Sequence, residues 1–118
     1  MSNNIVDEFN AYRLKMNEKM LEDNNKILKR IFNLDTNAYM EGALPKKTKE
    51  LLGLGNSLVL RCDDCVRYHL EECHKLGLTK EEVVEGMSIS LLIGGTIVLP
   101  HLRRAFEYWE ALDERKNN

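Results

Sequence analysis

Cys62 and Cys65 are three residues apart and His69 lies four further on, within Cys62-Asp63-Asp64-Cys65-Val66-Arg67-Tyr68-His69. On a helix these offsets fall on one stripe, so a single face presents two thiols and an imidazole. A dithiol at this spacing can close into a disulfide and open again, and the free N–H groups at a helix start favour a thiolate. His69, one turn after Cys65, is placed to accept its proton, which a nucleophilic thiol requires. Thiol redox chemistry is therefore the leading expectation. Cys73 and His74 extend the stripe, but a small buried cysteine and a surface histidine account for them. His101, just before Leu102-Arg103-Arg104, is a secondary candidate.

Zinc binding is the chemical rival. On one continuous helix, however, Cys62 and His69 are about 10 Å apart along the axis, too far to share an ion bound at about 2 Å. A zinc site would need the two cysteines on a non-helical knuckle with two ligands from elsewhere, and His101 is the one evident donor. The chain is accordingly read without metal or cofactor. A zinc-stabilised or purely structural oligomer is the non-enzymatic alternative.

The elements that must carry this site read as helices joined by short turns. Ile5, Phe9, Tyr12, Met16 and Met20 recur at helical spacing, and Ile27, Leu28 and Ile31 mark a second helix. Asp35 is expected to cap a brief helical turn ending at Gly42 in the left-handed conformation. Pro45 fits the first position of a helix running from Lys46 to about Leu60. A further helix begins around Arg61 to Asp63 and stops at Gly77. Thr79 with Glu82 forms a capping box for the next, which runs to Gly94. The last carries Leu102, Ala105, Phe106, Trp109 and Leu112, with Pro100 starting or kinking it. No segment alternates long enough for a strand, so the fold class is all-α.

This topology recruits Glu50. If the helices flanking Arg61 pack antiparallel, Glu50 lies about eleven residues before the turn and His69 about eight after it. At about 1.5 Å rise per residue the two are nearly level, a carboxylate beside an imidazole. Such a pairing would fix the tautomer of His69 and raise its basicity.

Size and charge set the remaining bounds. The 118 residues suit one domain spanning 1–118. Lys plus Arg is 17 against 19 for Asp plus Glu, a net charge of −2 that gives no reason to expect nucleic acid or anionic membrane as a partner. The residues from Met1 to Glu8 lack a secretory pattern, and the apolar stretch Met87–Leu99 is too short to span a bilayer, so a cytoplasmic location is expected. Three cysteines, an odd count, argue against a structural disulfide framework. Met87–Leu99 is apolar on nearly every face, more than a small monomer buries, so part of it is expected at a subunit interface, aided by Gly94-Gly95.

Glu50 followed by Cys62-x-x-Cys65-x-x-x-His69 resembles the alkylhydroperoxidase D-like branch of the carboxymuconolactone decarboxylase family. Leu44-Pro45-Lys46-Lys47-Thr48-Lys49-Glu50-Leu51, Leu58-Val59-Leu60-Arg61, Gly94-Gly95 and His101-Leu102-Arg103-Arg104-Ala105 extend the similarity over roughly Leu44 to Leu112. The resemblance implies a small all-α bundle, homo-oligomeric as a trimer or hexamer, that reduces a hydroperoxide through a cysteine pair. It implies that Cys65 is peroxidatic, that Cys62 resolves, and that Glu50 and His69 relay protons. The reductant would be a dithiol, from a lipoyl domain or a thioredoxin-like protein. Well-studied peroxidases of this branch can carry a histidine just before the second cysteine, where this chain has Asp64. That places two carboxylates between the thiols, and nearby negative charge raises a thiol's pKa. Three other activities stay open: disulfide exchange with little peroxide turnover, a decarboxylase-like lyase, and the non-enzymatic oligomer. The Cys-x-x-Cys pair argues against the lyase, which does not rely on one.

Overall fold

The computed structural model describes residues 4–117, so the first three residues of the Met1–Glu8 segment lie outside it. Asn4 caps α1 (Ile5–Glu22) by accepting from the Val6 N–H at 2.8 Å. Asn25 caps α2 (Lys26–Ala38), accepting from the N–H groups of Ile27 and Leu28. The chain continues through α3 (Lys46–Val59), α4 (Asp63–Lys75), α5 (Lys80–Gly94), a single 3-10 turn over Thr96–Val98, and α6 (Leu99–Asn117). The described residues contain no strand. No helix among them is long and apolar enough to cross a membrane.

The core is the seam where these helices meet. Leu54 and Leu58 of α3, Leu70 and Cys73 of α4, Val98, and Tyr108 of α6 are all 0% exposed, with Met87 of α5 at 2%. Each large apolar side chain removed from water this way contributes about 1.5–3 kcal/mol. The ring of Phe9 from α1 meets Tyr108 edge-on at 5.8 Å, which ties the first helix to the last. Ser90 of α5 donates to the Gly55 carbonyl at 3.0 Å, drawing α5 close against α3.

Most helix signals hold. Thr79 and Glu82 form the expected reciprocal capping box, and Gly77 turns the chain with φ +84°. Pro100 is the second residue of α6, where its missing N–H costs nothing, so it starts the helix. The Asp35–Gly42 expectation is corrected. Asp35 lies inside α2, because Thr36, Asn37 and Ala38 bring no breaker and the Thr36 hydroxyl bonds back to the Phe32 carbonyl at 3.1 Å. Gly42 sits beyond the helix in the turn before Pro45, with its N–H on the Leu44 carbonyl. Gly77 and Gly95, not Gly42, are the positive-φ glycines among the described residues. Pro45 itself precedes α3 as its cap residue.

Candidate active site

Two helices and the turn between them build the site. α3 ends at Val59, and the reversal places Arg61 at φ +61°, in the left-handed region. A non-glycine residue there costs about 1–2 kcal/mol. Backbone bonds hold the turn: the Cys62 N–H donates to the Ser57 carbonyl at 3.0 Å and the Arg61 N–H to the Leu58 carbonyl at 2.9 Å. Cys62 is the N-cap of α4, and its sulfur accepts from the Cys65 N–H at 3.3 Å. The two cysteines are joined as a disulfide with their Cα atoms 5.3 Å apart. Cys65 is exposed and Cys62 half-buried, so the bridge is open to an external partner.

Behind the disulfide lies a buried acid–base pair. Glu50 is 0% exposed and His69 8%. The His69 Nδ1–H donates to Glu50 Oε1 at 2.8 Å, as the hairpin arithmetic anticipates. Lys46, one turn earlier on α3, donates to the other carboxylate oxygen at 3.3 Å. Both oxygens thus receive donors, which is what a desolvated carboxylate needs.

The remaining nitrogen of His69 faces a residue that sequence reasoning missed. The Tyr39 hydroxyl lies 3.4 Å from His69 Nε2, and the two rings are 5.2 Å apart. Tyr39 is the C-cap residue of α2. Burial, then the charges of Glu50 and Asp35, raises its pKa above the usual phenol value. Gly53 makes the meeting possible: a Cβ there would sit 2.6 Å from the Tyr39 hydroxyl and 2.8 Å from His69 Cε1. A glycine inside a helix costs about 1 kcal/mol relative to alanine, and that cost was the one readable signal of a close approach at this place. Tyr68 packs its ring edge against His69 at 5.2 Å and carries the Arg13 guanidinium over its face at 4.5 Å. Burial, then Glu72 and Glu50, pushes the Tyr68 phenol up to about 12.

His101 does not join the Glu50–His69 pair. It donates from Nδ1 to Asp63 Oδ1 at 2.7 Å, while Arg104 Nε donates to the other oxygen at 2.8 Å. Asp63 is the first residue of α4, so this clamp fastens the dithiol end of the helix to the start of α6. Burial works to raise the Asp63 pKa, but the bonds from His101 and Arg104 outweigh it and hold the carboxyl below its usual range. One of the two carboxylates between the thiols is thereby countered by a fixed cation. Cys73 is fully buried, and burial followed by Glu50 pushes its thiol up to about 12, which makes it a packing residue. His74 pairs with Asp113 at 2.9 Å, well away from the bridge in sequence and in partners. Among the described residues no group of three or more His, Cys, Asp or Glu side chains is placed to hold a metal ion.

An all-helical chain with a redox-capable cysteine pair at a helix N-terminus and a buried carboxylate–imidazole pair behind it defines a dithiol protein. The family model for the carboxymuconolactone decarboxylase family matches residues 25–108, and the chain belongs to that family. A Thermotoga maritima family member of known crystal structure, for which involvement in an antioxidative response has been suggested, is 49% identical with a TM-score of 0.90 over 94% of each chain. The apo form of a family protein from Legionella pneumophila is 30% identical with a TM-score of 0.69, over 93% of this chain and 92% of that one. An uncharacterized protein of Cupriavidus necator is 30% identical over 76 residues, which is 64% of this chain and 67% of the relative.

Proposed function

We propose that the protein is a thiol-dependent peroxidase of the alkyl hydroperoxide reductase kind. The observation that carries this reading is the exposed Cys62–Cys65 bridge on a helix N-terminus, one turn from a buried Glu50–His69 pair. In the reduced protein His69 Nε2 takes the Cys65 proton. The thiolate attacks the terminal oxygen of a hydroperoxide, so an S–O bond forms and the O–O bond breaks. The departing alkoxide takes a proton from the His69 imidazolium, and Cys65 is left as a sulfenic acid. Cys62 attacks that sulfur as a thiol, water leaves, and the disulfide forms. An external dithiol, from a lipoyl domain or a thioredoxin-like protein, exchanges with the bridge and is itself oxidised. The sum is one hydroperoxide and one dithiol giving one alcohol, one water and one disulfide.

The chain acts in this reading as one domain, in a trimer or hexamer, in the cytoplasm, without metal or cofactor. Ile89, Leu92, Ile93 and Ile97 are each more than half exposed, an apolar surface suited to burial between copies. The deciding experiment is hydroperoxide consumption by the reduced protein with a panel of dithiol reductants. Turnover with one or more of them is expected, and turnover with none refutes the reading. A second reading, disulfide exchange with little peroxide activity, draws on Asp64, whose exposed carboxylate disfavours a neighbouring thiolate. Turnover of a model disulfide exceeding that of peroxide would select it.

A further inference from the structure

We infer that Tyr39 is a positioning residue that restrains the site by occupying the basic nitrogen of His69. The inference deepens the reading above, since it assumes that His69 Nε2 is where the Cys65 proton goes. One Glu50 oxygen takes Lys46 Nζ at 3.3 Å and the other faces His69 Nδ1 at 2.8 Å. An ammonium that close selects the ionised carboxylate, and a carboxylate needs a donor from the ring. Nδ1 therefore carries the hydrogen, Nε2 carries the lone pair, and the Tyr39 hydroxyl donates into it.

That lone pair is the one the Cys65 thiol requires. With the disulfide closed, Nε2 is held by Tyr39. Once the bridge is reduced, the Cys65 S–H and the Tyr39 O–H compete for a single acceptor. Only when the phenol yields does the proton pass from Cys65 Sγ to His69 Nε2, giving a thiolate and an imidazolium backed by Glu50. The phenol is a poor alternative base, because burial and the charges of Glu50 and Asp35 keep its own proton in place. At 3.4 Å the bond is long, so it is weak enough to release. Gly53 is the independent second observation: its missing Cβ opens the space in which the hydroxyl and the ring meet.

Other charged and titratable groups around His69 are accounted for. Glu50 and Lys46 face it from α3, Asp35 acts through Tyr39, and Tyr68 and Glu72 lie on α4. Arg13 reaches it through the Tyr68 ring, Cys65 stands one turn before it and buried Cys73 one turn after. None of these donates to Nε2 in this structure, so removing the phenol hydroxyl changes that nitrogen's partner alone.

The test is Tyr39→Phe, which keeps the ring. A hydrogen bond that favours the neutral imidazole opposes the ion pair, so its loss favours the thiolate. Alkylation of the reduced protein by iodoacetamide, with adducts located by mass spectrometry, follows the Cys65 thiolate whether or not peroxide is a substrate. The acid limb of its pH profile should move down by about half a unit, or about threefold faster reaction on that limb, the size of one weak neutral bond. In the disulfide form, the ¹⁵N signal of His69 Nε2 should shift between wild type and Tyr39→Phe. A limb that stays in place, or slower alkylation with an unmoved Nε2 signal, overturns the inference and leaves Tyr39 a packing residue. A peroxide assay that fails while the limb moves sinks the peroxidase reading and spares Tyr39.

Discussion

Replacing Glu50 by glutamine removes a charge and almost nothing else. The amide is the same size, its oxygen can still accept from His69 Nδ1, and Lys46 is 41% exposed and can turn to water. What changes is the kind of bond. A hydrogen bond to a charged group contributes about 1.5–3 kcal/mol, against about 1 for a neutral one. The 2.8 Å contact is short and the Glu50 side chain is buried, which puts the difference in the upper half of its range of about 0.5–2 kcal/mol, at about 1.4 kcal/mol, or about tenfold in thiolate formation. His69→Asn would remove the proposed base itself and should cost about 100-fold. Two independent losses would multiply to about 1000-fold. A carboxylate that acts only through the imidazole has nothing left to act on, so the double variant should stay near 100-fold, a coupling of about 1.4 kcal/mol. The assay is single-turnover mixing of each reduced protein with excess organic hydroperoxide, following thiol loss so that no reductant enters. Thermal melts check that each variant folds. A double variant slowed about 1000-fold would refute the idea that the two residues act as one unit.

Three further outcomes follow from the same geometry. Cys65→Ser should abolish peroxide reactivity, whereas Cys62→Ser should react once and stall as a Cys65 sulfenic acid that dimedone traps; an adduct on Cys62 in the Cys65→Ser protein would reverse the two roles. Asp63→Asn should lower stability at pH 7 by up to about 1 kcal/mol, the scale of an exposed ion pair. Because the folded carboxyl sits below its usual range, this contribution is present above about pH 3.9 and is lost as pH falls through the folded value. Melting curves of wild type and variant should therefore converge in strong acid, and a gap that persists there counts against the clamp. Leu92→Glu with Ile93→Glu, at positions 80% and 71% exposed in the single chain, should leave helix content unchanged and lower the sedimentation coefficient; an unchanged coefficient would refute a subunit interface on this face.

The hairpin was legible because helices are rigid rods. Once Pro45 and Gly77 bounded the pair, counting residues on either side of Arg61 put Glu50 and His69 at one level, and a fixed rise left little room for error. The lysine-rich stretch Lys46-Lys47-Thr48-Lys49 before Glu50 gave no sign that the Glu50 side chain is wholly buried, since such a run reads as a solvated face. Tyr39 was out of reach for a different reason. It hangs from the end of α2 ahead of the non-periodic 40–45 turn, and no spacing rule carries a hydroxyl across such a turn onto a histidine thirty residues on. Asp63 looked like one more acid in a first helical turn, where acids are favoured anyway. Its partners, His101 and Arg104, arrive through the packing of α6 on α4, which helix periodicity does not specify.

α2 buries none of its thirteen residues, and Ile27, Ile31 and Leu34 are each more than half exposed. A helix of this length with little tertiary support is marginal on its own. Its amides should then exchange with solvent through frequent local openings, ahead of those in α3 and α4. An opening that also breaks the Lys49 bonds to the Ala38 and Met40 carbonyls would fray the segment that carries Tyr39 and withdraw its hydroxyl from His69. If Tyr39 restrains His69 as proposed, helix–coil equilibrium in α2 and the reactivity of the dithiol would be linked functions: whatever firms the helix would hold the dithiol back, and whatever melts it would release it. The cysteine pair is anchored in the α3–α4 hairpin, whereas the residue proposed to restrain it hangs from a helix that buries none of its own side chains.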